Sequence, residues 1–423
     1  MSNKIQKALI NFCRLLTAVV LIFSGYVKAV DPLGTQYKLT DYATALSVND
    51  IVPPNILNAA AILLAAFEFT IGILLLFAIQ RRIVSRLALL FMALMTILTI
   101  WIWLFDPVSD CGCFGDAVRL TNGQTLIKNV ILLACTLILA WKPLLMKRFI
   151  GKRHQWIIIN YTILFILATS AWCLWDLPIF DFRPYHVGAN IAEGMAIPEG
   201  AEQPQYETTF IMEKDGHRQE FSVEEYPDST WHFIDRKNRL VKGGYVPPIH
   251  DFSIQTTNGE DITNEVINQK GYVFLLVSPH LEEASDVHHG EINEIYEYAK
   301  KYECQFICLT ASGKNAIKRW CITTEAEYPF MSTDETTLKT IIRSNPGLLL
   351  LKDGTIIQKW SHNNLPDSDA LSVAPTEAAF GKISQNSVAL RILFSVAWYV
   401  LPLLLLLMID KLFTRPGNVK DKK

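Results

Sequence analysis

The feature that most constrains this chain is the bunching of its apolar residues into stretches of about 20, the length at which a helix crosses a hydrocarbon core of roughly 30 Å. Six such stretches can be read, near residues 8–30, 56–79, 83–105, 126–145, 156–176 and 388–409. Half of the 423 residues are hydrophobic, with 22 Phe, 14 Tyr and 10 Trp, a composition unusual for a purely soluble chain. The stretch 126–145 is the most polar, with Lys128 and Asn129 near its start and Lys142 near its end, where long side chains can reach lipid headgroups. The first stretch is too long for a secretion signal and no small-residue cleavage site follows it, so it is expected to stay as an anchored helix.

The polar segments between these stretches differ in charge. Lys4, Lys7 and Arg14 stand at the start, Arg81, Arg82 and Arg86 fill the second turn, and Lys147, Arg148, Lys152 and Arg153 the fourth. Lys411, Arg415, Lys420, Lys422 and Lys423 close the chain, whereas loop 31–55 carries only Lys38 and loop 106–125 only Arg119. Because basic loops stay on the inner side, both termini are expected in the cytoplasm, and loop 106–125 and the segment 177–387 outside. The net charge of −2 conceals this asymmetry, and no nucleic-acid partner is expected.

Two ionisable residues fall inside the apolar stretches, where burial costs several kcal/mol and a functional or paired role is the default. Glu68 lies roughly 18 Å below the outer end of the second stretch and Arg14 roughly 9 Å above the inner end of the first, depths that nearly coincide in one bilayer. Two readings stand: an Arg14–Glu68 pair that holds the first two spans in register, or a protonated Glu68 that relays protons.

Trp101 and Trp103 end the third span as interfacial aromatics do, and the turn Asp110-Cys111-Gly112-Cys113-Phe114-Gly115-Asp116 follows at once. A Cys-x-Cys pair closes a disulfide only if its Cα atoms come within about 4.4–6.8 Å, a turn that Gly112 permits. A strained, exposed disulfide is a labile one, and the outer compartment is where disulfides persist. That suits exchange between soluble thiols and a membrane electron carrier such as a quinone. A structural disulfide, or two free thiols capping the bundle, are the plainer readings. A metal would need further ligands, and the other outer loop has neither His nor Cys. Asp110 and Asp116 disfavour a thiolate unless Lys28 or Arg119 offsets them.

Cys13, Cys135 and Cys173 lie in apolar spans, as small hydrophobes do. Cys304 and Cys308 bracket a strand about 13 Å long, too far apart to bridge each other. A bond from Cys321 to either is the remaining option. His280, His288, His289 and Glu291 lack a further well-spaced metal ligand and read as a solvated helix start.

Beyond residue 176 the composition turns polar. Residues 177–206 read as a linker, and Tyr206–Met212 and Arg218–Val223 flank Lys214-Asp215-Gly216 as a β-hairpin. From Pro248 strands and helices alternate: a strand Asp251–Thr256, the apolar strand Tyr272–Ser278, a helix with Ile292, Ile295, Tyr296 and Ala299 on one face, and a strand Gln305–Thr310. A helix near 313–322 and the strands Leu348–Leu351 and Thr355–Trp360 complete a compact α/β domain.

Two resemblances follow from these residues. Residues 8–145, with Ser24-Gly25-Tyr26-Val27-Lys28, Asp31-Pro32-Leu33-Gly34, Glu68 and the cysteine turn, resemble the MauE/DoxX membrane family. That implies a four-helix module in a bacterial inner membrane, a link to methylamine utilisation and a role in thiol maturation of exported proteins. Residues 247–365 resemble a thioredoxin-like periplasmic domain, with Pro346 in the place of that fold's cis-proline. Where that family places Cys-x-x-Cys, this chain has Pro279-His280-Leu281-Glu282-Glu283-Ala284, so no dithiol carries over.

The expected architecture is an α-helical integral membrane bundle of six transmembrane helices plus an α/β thioredoxin-like soluble domain. Its parts are a MauE/DoxX-like module (1–150), a fifth span (151–176), a linker and small β module (177–246), the thioredoxin-like domain (247–365), a linker (366–387), a sixth span (388–410) and a basic tail (411–423). Cys111 and Cys113 are the candidate redox couple, supported by Arg14, Lys28, Glu68, Asp110 and Asp116. The lipid bilayer and periplasmic thiol proteins are the expected partners. The rival reading is a non-catalytic scaffold whose outer domain binds a client.

Overall fold

The computed structural model describes every residue except 1–2, 49–50, 109, 203–204, 215–216, 223–231, 243, 384–387 and 414–423. Its membrane part begins with α1 (Asn3–Val30), α2 (Pro32–Ala45), α3 (Pro54–Leu76), α4 (Arg81–Phe105), α5 (Asn122–Trp141) and α6 (Gln155–Trp175). The piece between α1 and α3 is a helix of its own. Asp31 caps it by accepting from the Gly34 N–H, and Pro32 supplies the fixed φ of its first turn. A reciprocal capping box, Thr121 with Gln124, fixes where α5 starts after the cysteine turn.

α1 and α3 run antiparallel with their backbones in contact. A Cβ on Gly25 would stand 2.4 Å from the Phe69 backbone nitrogen, and one on Gly72 would stand 2.8 Å from that of Ile22. Only glycine lets the two helices approach so closely, the small-residue packing common between membrane helices. These two contacts set the register and bring residue 68 level with residues 24–28. The bundle core then forms around Ala18, Leu21, Ala65, Phe69, Met92 and Leu132.

After α6 the stretch expected to be a linker is packed. Phe180 joins Val30 and Cys173, and Tyr185 and Ile191, the latter opening α7 (Ile191–Met195), are buried in the soluble core. Its apolar residues lie among prolines without periodicity, so only the tertiary contacts order it. β1 (Gln205–Lys214), β2 (His217–Ser222) and β3 (His232–Lys242) form an antiparallel sheet in the order β2-β1-β3, with the turn 215–216 outside the described residues.

The soluble domain continues with α8 (Thr263–Ile267), β4 (Tyr272–Ser278), α9 (His289–Lys301), β5 (Gln305–Thr310), α10 (Lys314–Thr324), β6 (Phe330–Ser332), α11 (Glu335–Ile341), β7 (Gly347–Lys352) and β8 (Thr355–Ser361). The sheet order is β6-β5-β4-β7-β8, with β4, β5 and β6 parallel and β7 and β8 antiparallel. Every residue of β4 is buried, because both faces are covered: Val273, Leu275 and Val277 enter one core, Tyr272, Phe274 and Leu276 the other. This β-α-β unit followed by an antiparallel hairpin is a thioredoxin-like domain, and its Asn345–Pro346 peptide is cis.

Two expectations are corrected here. Asp251–Thr256 is not a strand: only Gln255 bridges, to Asp261 and Ser332, because the Ile254 N–H is taken by the Thr263 hydroxyl and Thr256 turns back on Glu260. Residues 366–383 are not a free linker either. Ala378 and Phe380 are buried, the Phe380 ring meets Trp360 and Tyr298, and the Tyr272 hydroxyl donates to Gly381. The chain ends its described course in α12 (Val388–Phe413), the sixth helix long and apolar enough to cross a membrane.

Candidate redox site

The site lies where α1, α3 and α5 meet the cysteine turn. Two left-handed glycines shape it, Gly112 at φ 62° and Gly115 at φ 52°, a conformation that other residues rarely hold. The Asp110 carboxylate accepts from the Gly112 N–H at 2.8 Å, and the Gly115 N–H donates to the Gly112 carbonyl at 3.1 Å. The Cys111 and Cys113 sulfurs face each other at 2.8 Å, less than ~1 Å from the length of a bond.

Both cysteine carbonyls are held from below. The Tyr42 hydroxyl donates to Cys111 O at 2.6 Å, and Lys28 Nζ to Cys113 O at 2.8 Å. Lys28 also meets Glu68 at 2.8 and 3.0 Å and the Ser24 hydroxyl at 2.7 Å. Ser24 Oγ stands 2.6 Å from Glu68 Oε2 and 2.8 Å from Cys113 O, its one proton serving either. All three side chains are buried. A buried ion pair repays its desolvation only when further hydrogen bonds satisfy it, and here Ser24 and the turn carbonyl supply them.

Glu68 is therefore not the partner of Arg14. The Arg14 guanidinium sits at the other end of the bundle, donating to the Lys147 carbonyl at 2.7 Å and lying 5.0 Å from the Phe149 ring centre. The two residues would be level only if α1 and α3 ended together at the outer surface. In the structure α3 extends beyond the end of α1, so Glu68 meets residue 28, and Arg14 lies 14 residues, or about 21 Å, further down α1.

The acidic neighbours of the thiols are neutralised. Asp110 pairs with Lys38 at 3.1 Å, and Asp116 with Arg119 at 3.2 Å and Arg343 at 3.6 Å. Lys128, with its ammonium 4.3 Å from the centre of the Phe114 ring, faces the same cavity as the two sulfurs. The Cys113 thiol is held down to about 6, first by the hydrogen bond from Cys111 and then by Lys128 and Lys28, against the opposing effect of burial. Cys111 is pushed up by its contact with Cys113 and by burial, as is the desolvated Tyr42 phenol, which stays a donor. One thiolate beside one thiol is the arrangement needed for a nucleophile with a resolving partner.

The pair is half-buried rather than openly exposed. Both cysteines line a cavity of about 100 Å³ that runs down between α1, α3, α4 and α5. On the other side of the turn, Gly112 and Gly115 border a separate cleft of about 650 Å³ between α2 and the thioredoxin-like domain.

In that domain His280, just after β4, stands beside the cis peptide. Its carbonyl accepts from Asn345 at 2.8 Å and its ring meets Glu335 at 2.9 Å. Cys304, Cys308 and Cys321 are free thiols, and burial pushes all three up. His288 pairs with Glu291, and among the described residues no group of three His, Cys, Asp or Glu side chains comes together.

Sequence reasoning missed Lys128, Tyr42, Arg343 and the role of Ser24. For Ser24 a signal existed, since it stands four residues before Lys28 and so on the same helical face. Lys128 reads equally well as an interfacial lysine, and Arg343 is brought in by the tertiary fold.

Residues 6–142 match the family model for methylamine utilisation protein MauE, and residues 206–243 match a domain of unknown function, DUF8463. No curated protein matches the chain. Among solved structures, a presumed protein disulfide isomerase from Bacteroides thetaiotaomicron shares 15% identity over 27% of this chain and 76% of that one, with a TM-score of 0.23. The thioredoxin-like assignment rests on strand order. The stretch that contains Ser24, Lys28, Glu68, the cysteine turn and Lys128 is thus the part of this chain that is similar to MauE.

Proposed function

We propose that this protein is a thiol–disulfide redox component of a bacterial inner membrane, with Cys111 and Cys113 as the working couple on the periplasmic face. The observation that carries the reading is the 2.8 Å approach of the two sulfurs with Cys113 favoured as the thiolate. The Lys and Arg bias of the opposite loops supports a cytoplasmic placement of both termini.

Starting from the disulfide, a thiolate of an exported protein attacks Cys111, and Cys113 departs because the thiol with the lower pKa leaves faster. The second thiolate of that protein then attacks the mixed disulfide. One disulfide forms in the client, the Cys111–Cys113 bond is broken, and two electrons pass to the couple. Without a dithiol, the thioredoxin-like domain has the role of holding a client beside the turn, and the packing of Arg343 on Asp31 and Asp116 supports it.

Differential alkylation with mass readout tests this. Protein in native membranes should shift between a form with both cysteines blocked by alkylation only after reduction and a form with both directly labelled. A couple that stays in one state under oxidant and reductant alike sinks the proposal and leaves a structural turn.

A further inference from the structure

We propose that the cavity beneath the cysteine turn binds the ring of a quinone, which oxidises the Cys111–Cys113 pair from within the membrane. The inference rests on the redox reading above and names the electron acceptor.

Three observations carry it. Both cysteines line the membrane-side cavity, whereas the external cleft on the far side is bordered by Gly112 and Gly115 of the turn and by neither cysteine. Cys113 also borders a small separate recess with Val118, Leu120 and Thr125, so a soluble thiol and a ring in the cavity approach the pair from different sides. The cavity has an apolar wall, with Leu64, Met92, Met95 and Leu132 from three different helices. Its other side is polar, with Ser24, Lys28, Tyr42, Glu68, Lys128 and Asn129, a division that suits a flat ring carrying carbonyl oxygens. At its polar end the Lys128 ammonium, which also favours the Cys113 thiolate, has no carboxylate partner among the described residues and lies against the Phe114 ring. Lys28, by contrast, is committed to Glu68.

A carbonyl oxygen of the ring seated beside Lys128 would gain negative charge as it takes up electrons, and a fixed cation there stabilises that charge. In the balanced step the Cys111–Cys113 bond forms, two electrons pass to the quinone and two ring oxygens become hydroxyls. One proton comes from the Cys111 thiol. The other, released when Cys113 ionised, is handed back through Lys128, which recovers its own from water.

The test uses the full chain in lipid nanodiscs, reduced and freed of reductant, with decylubiquinone as the membrane probe and diamide as the soluble oxidant. Quinone consumption is followed in the ultraviolet and the cysteine state by alkylation. The expected result is one quinone reduced per cysteine pair. Leu64→Trp and Met92→Trp, which fill the cavity, should each lose quinone reduction while diamide still closes the pair. Lys128→Met should slow quinone reduction by about a hundredfold, the loss typical of one removed oxyanion partner. If diamide closes the pair in the unmodified protein and decylubiquinone does not, or if both tryptophan variants reduce quinone normally, the quinone site is wrong and the redox couple survives. If neither oxidant closes the pair, both readings fall.

Discussion

Arg343 places its Nε 3.0 and 3.1 Å from the two carboxylate oxygens of Asp31, a residue 312 positions earlier in the chain. It also reaches Asp116 at the end of the cysteine turn, at 3.6 Å. Asp31 is itself the cap of α2, and Arg343 stands two residues before the cis peptide of the thioredoxin-like domain. One guanidinium thus ties that domain to the helix cap and to the redox turn, and its side chain is almost wholly buried.

Arg343→Ala should therefore loosen the turn. Removing one partner of a buried pair typically costs 3–5 kcal/mol, because the other charge is left uncompensated. Hydrogen exchange at residues 110–117 should rise together with exchange at the start of α2. Arg343→Lys should not restore protection, since one ammonium cannot hold Asp31 and Asp116 with separate nitrogens as the planar guanidinium does. Unchanged exchange in both segments would show that the domain and the turn are independent.

What the sequence disclosed and what it withheld divide along physical lines. The six spans are legible because a bilayer demands about 20 apolar residues whatever the neighbours do. The strands around Phe274 and Leu350 are legible because both faces of a covered sheet must be apolar. The partner of Glu68 was not, since it depends on how far α3 slides along α1, which two glycine contacts at Gly25 and Gly72 decide. The packed stretch around Phe180 and Ile191 shows no period, and its order comes from surfaces contributed by distant residues.

Cys113 should be alkylated well below the pH at which ordinary thiols react. Its thiolate is present above about 6 and lost as the pH falls below it, so the rate with N-ethylmaleimide should rise through that value and then level off. Cys111, whose thiol is pushed up, should stay slow over the same range. Lys128→Met removes one of the two cations that favour the thiolate, and the midpoint should move upward. Mass spectrometry of labelled peptides from pH 4.5 to 9 reads both sites at once, and equal rates for the two cysteines would refute the assignment.

Gly25→Leu should separate α1 from α3, since even a Cβ there would fall 2.4 Å from the Phe69 nitrogen and 2.8 Å from the Ala65 carbonyl oxygen. Backbone atoms cannot give way as a flexible side chain can, so the whole helix must shift and Lys28 must draw away from Glu68. The expected readout is a lower melting temperature in detergent together with faster maleimide labelling of both cysteines. Gly123→Ala is the control, because a Cβ there meets nothing closer than 3.8 Å.

The Lys28–Glu68 pair allows a sharper separation of charge from packing. Glu68→Gln leaves the Lys28 ammonium buried opposite a neutral amide, and Lys28→Met leaves a lone carboxylate beside Ser24; each should destabilise the bundle by about 3–5 kcal/mol. The double variant Lys28→Met with Glu68→Leu removes both charges and should recover most of that loss, because a well-packed apolar pair is often as stable as the ion pair it replaces. Function should not recover with it. Lys28 also grips the Cys113 carbonyl, so the double variant should fold yet leave the turn less firmly held and label faster at both cysteines. Melting curves and the labelling profile on the same preparations check both halves. A double variant no more stable than either single one would mean that the pair acts through hydrogen bonds that apolar side chains cannot replace.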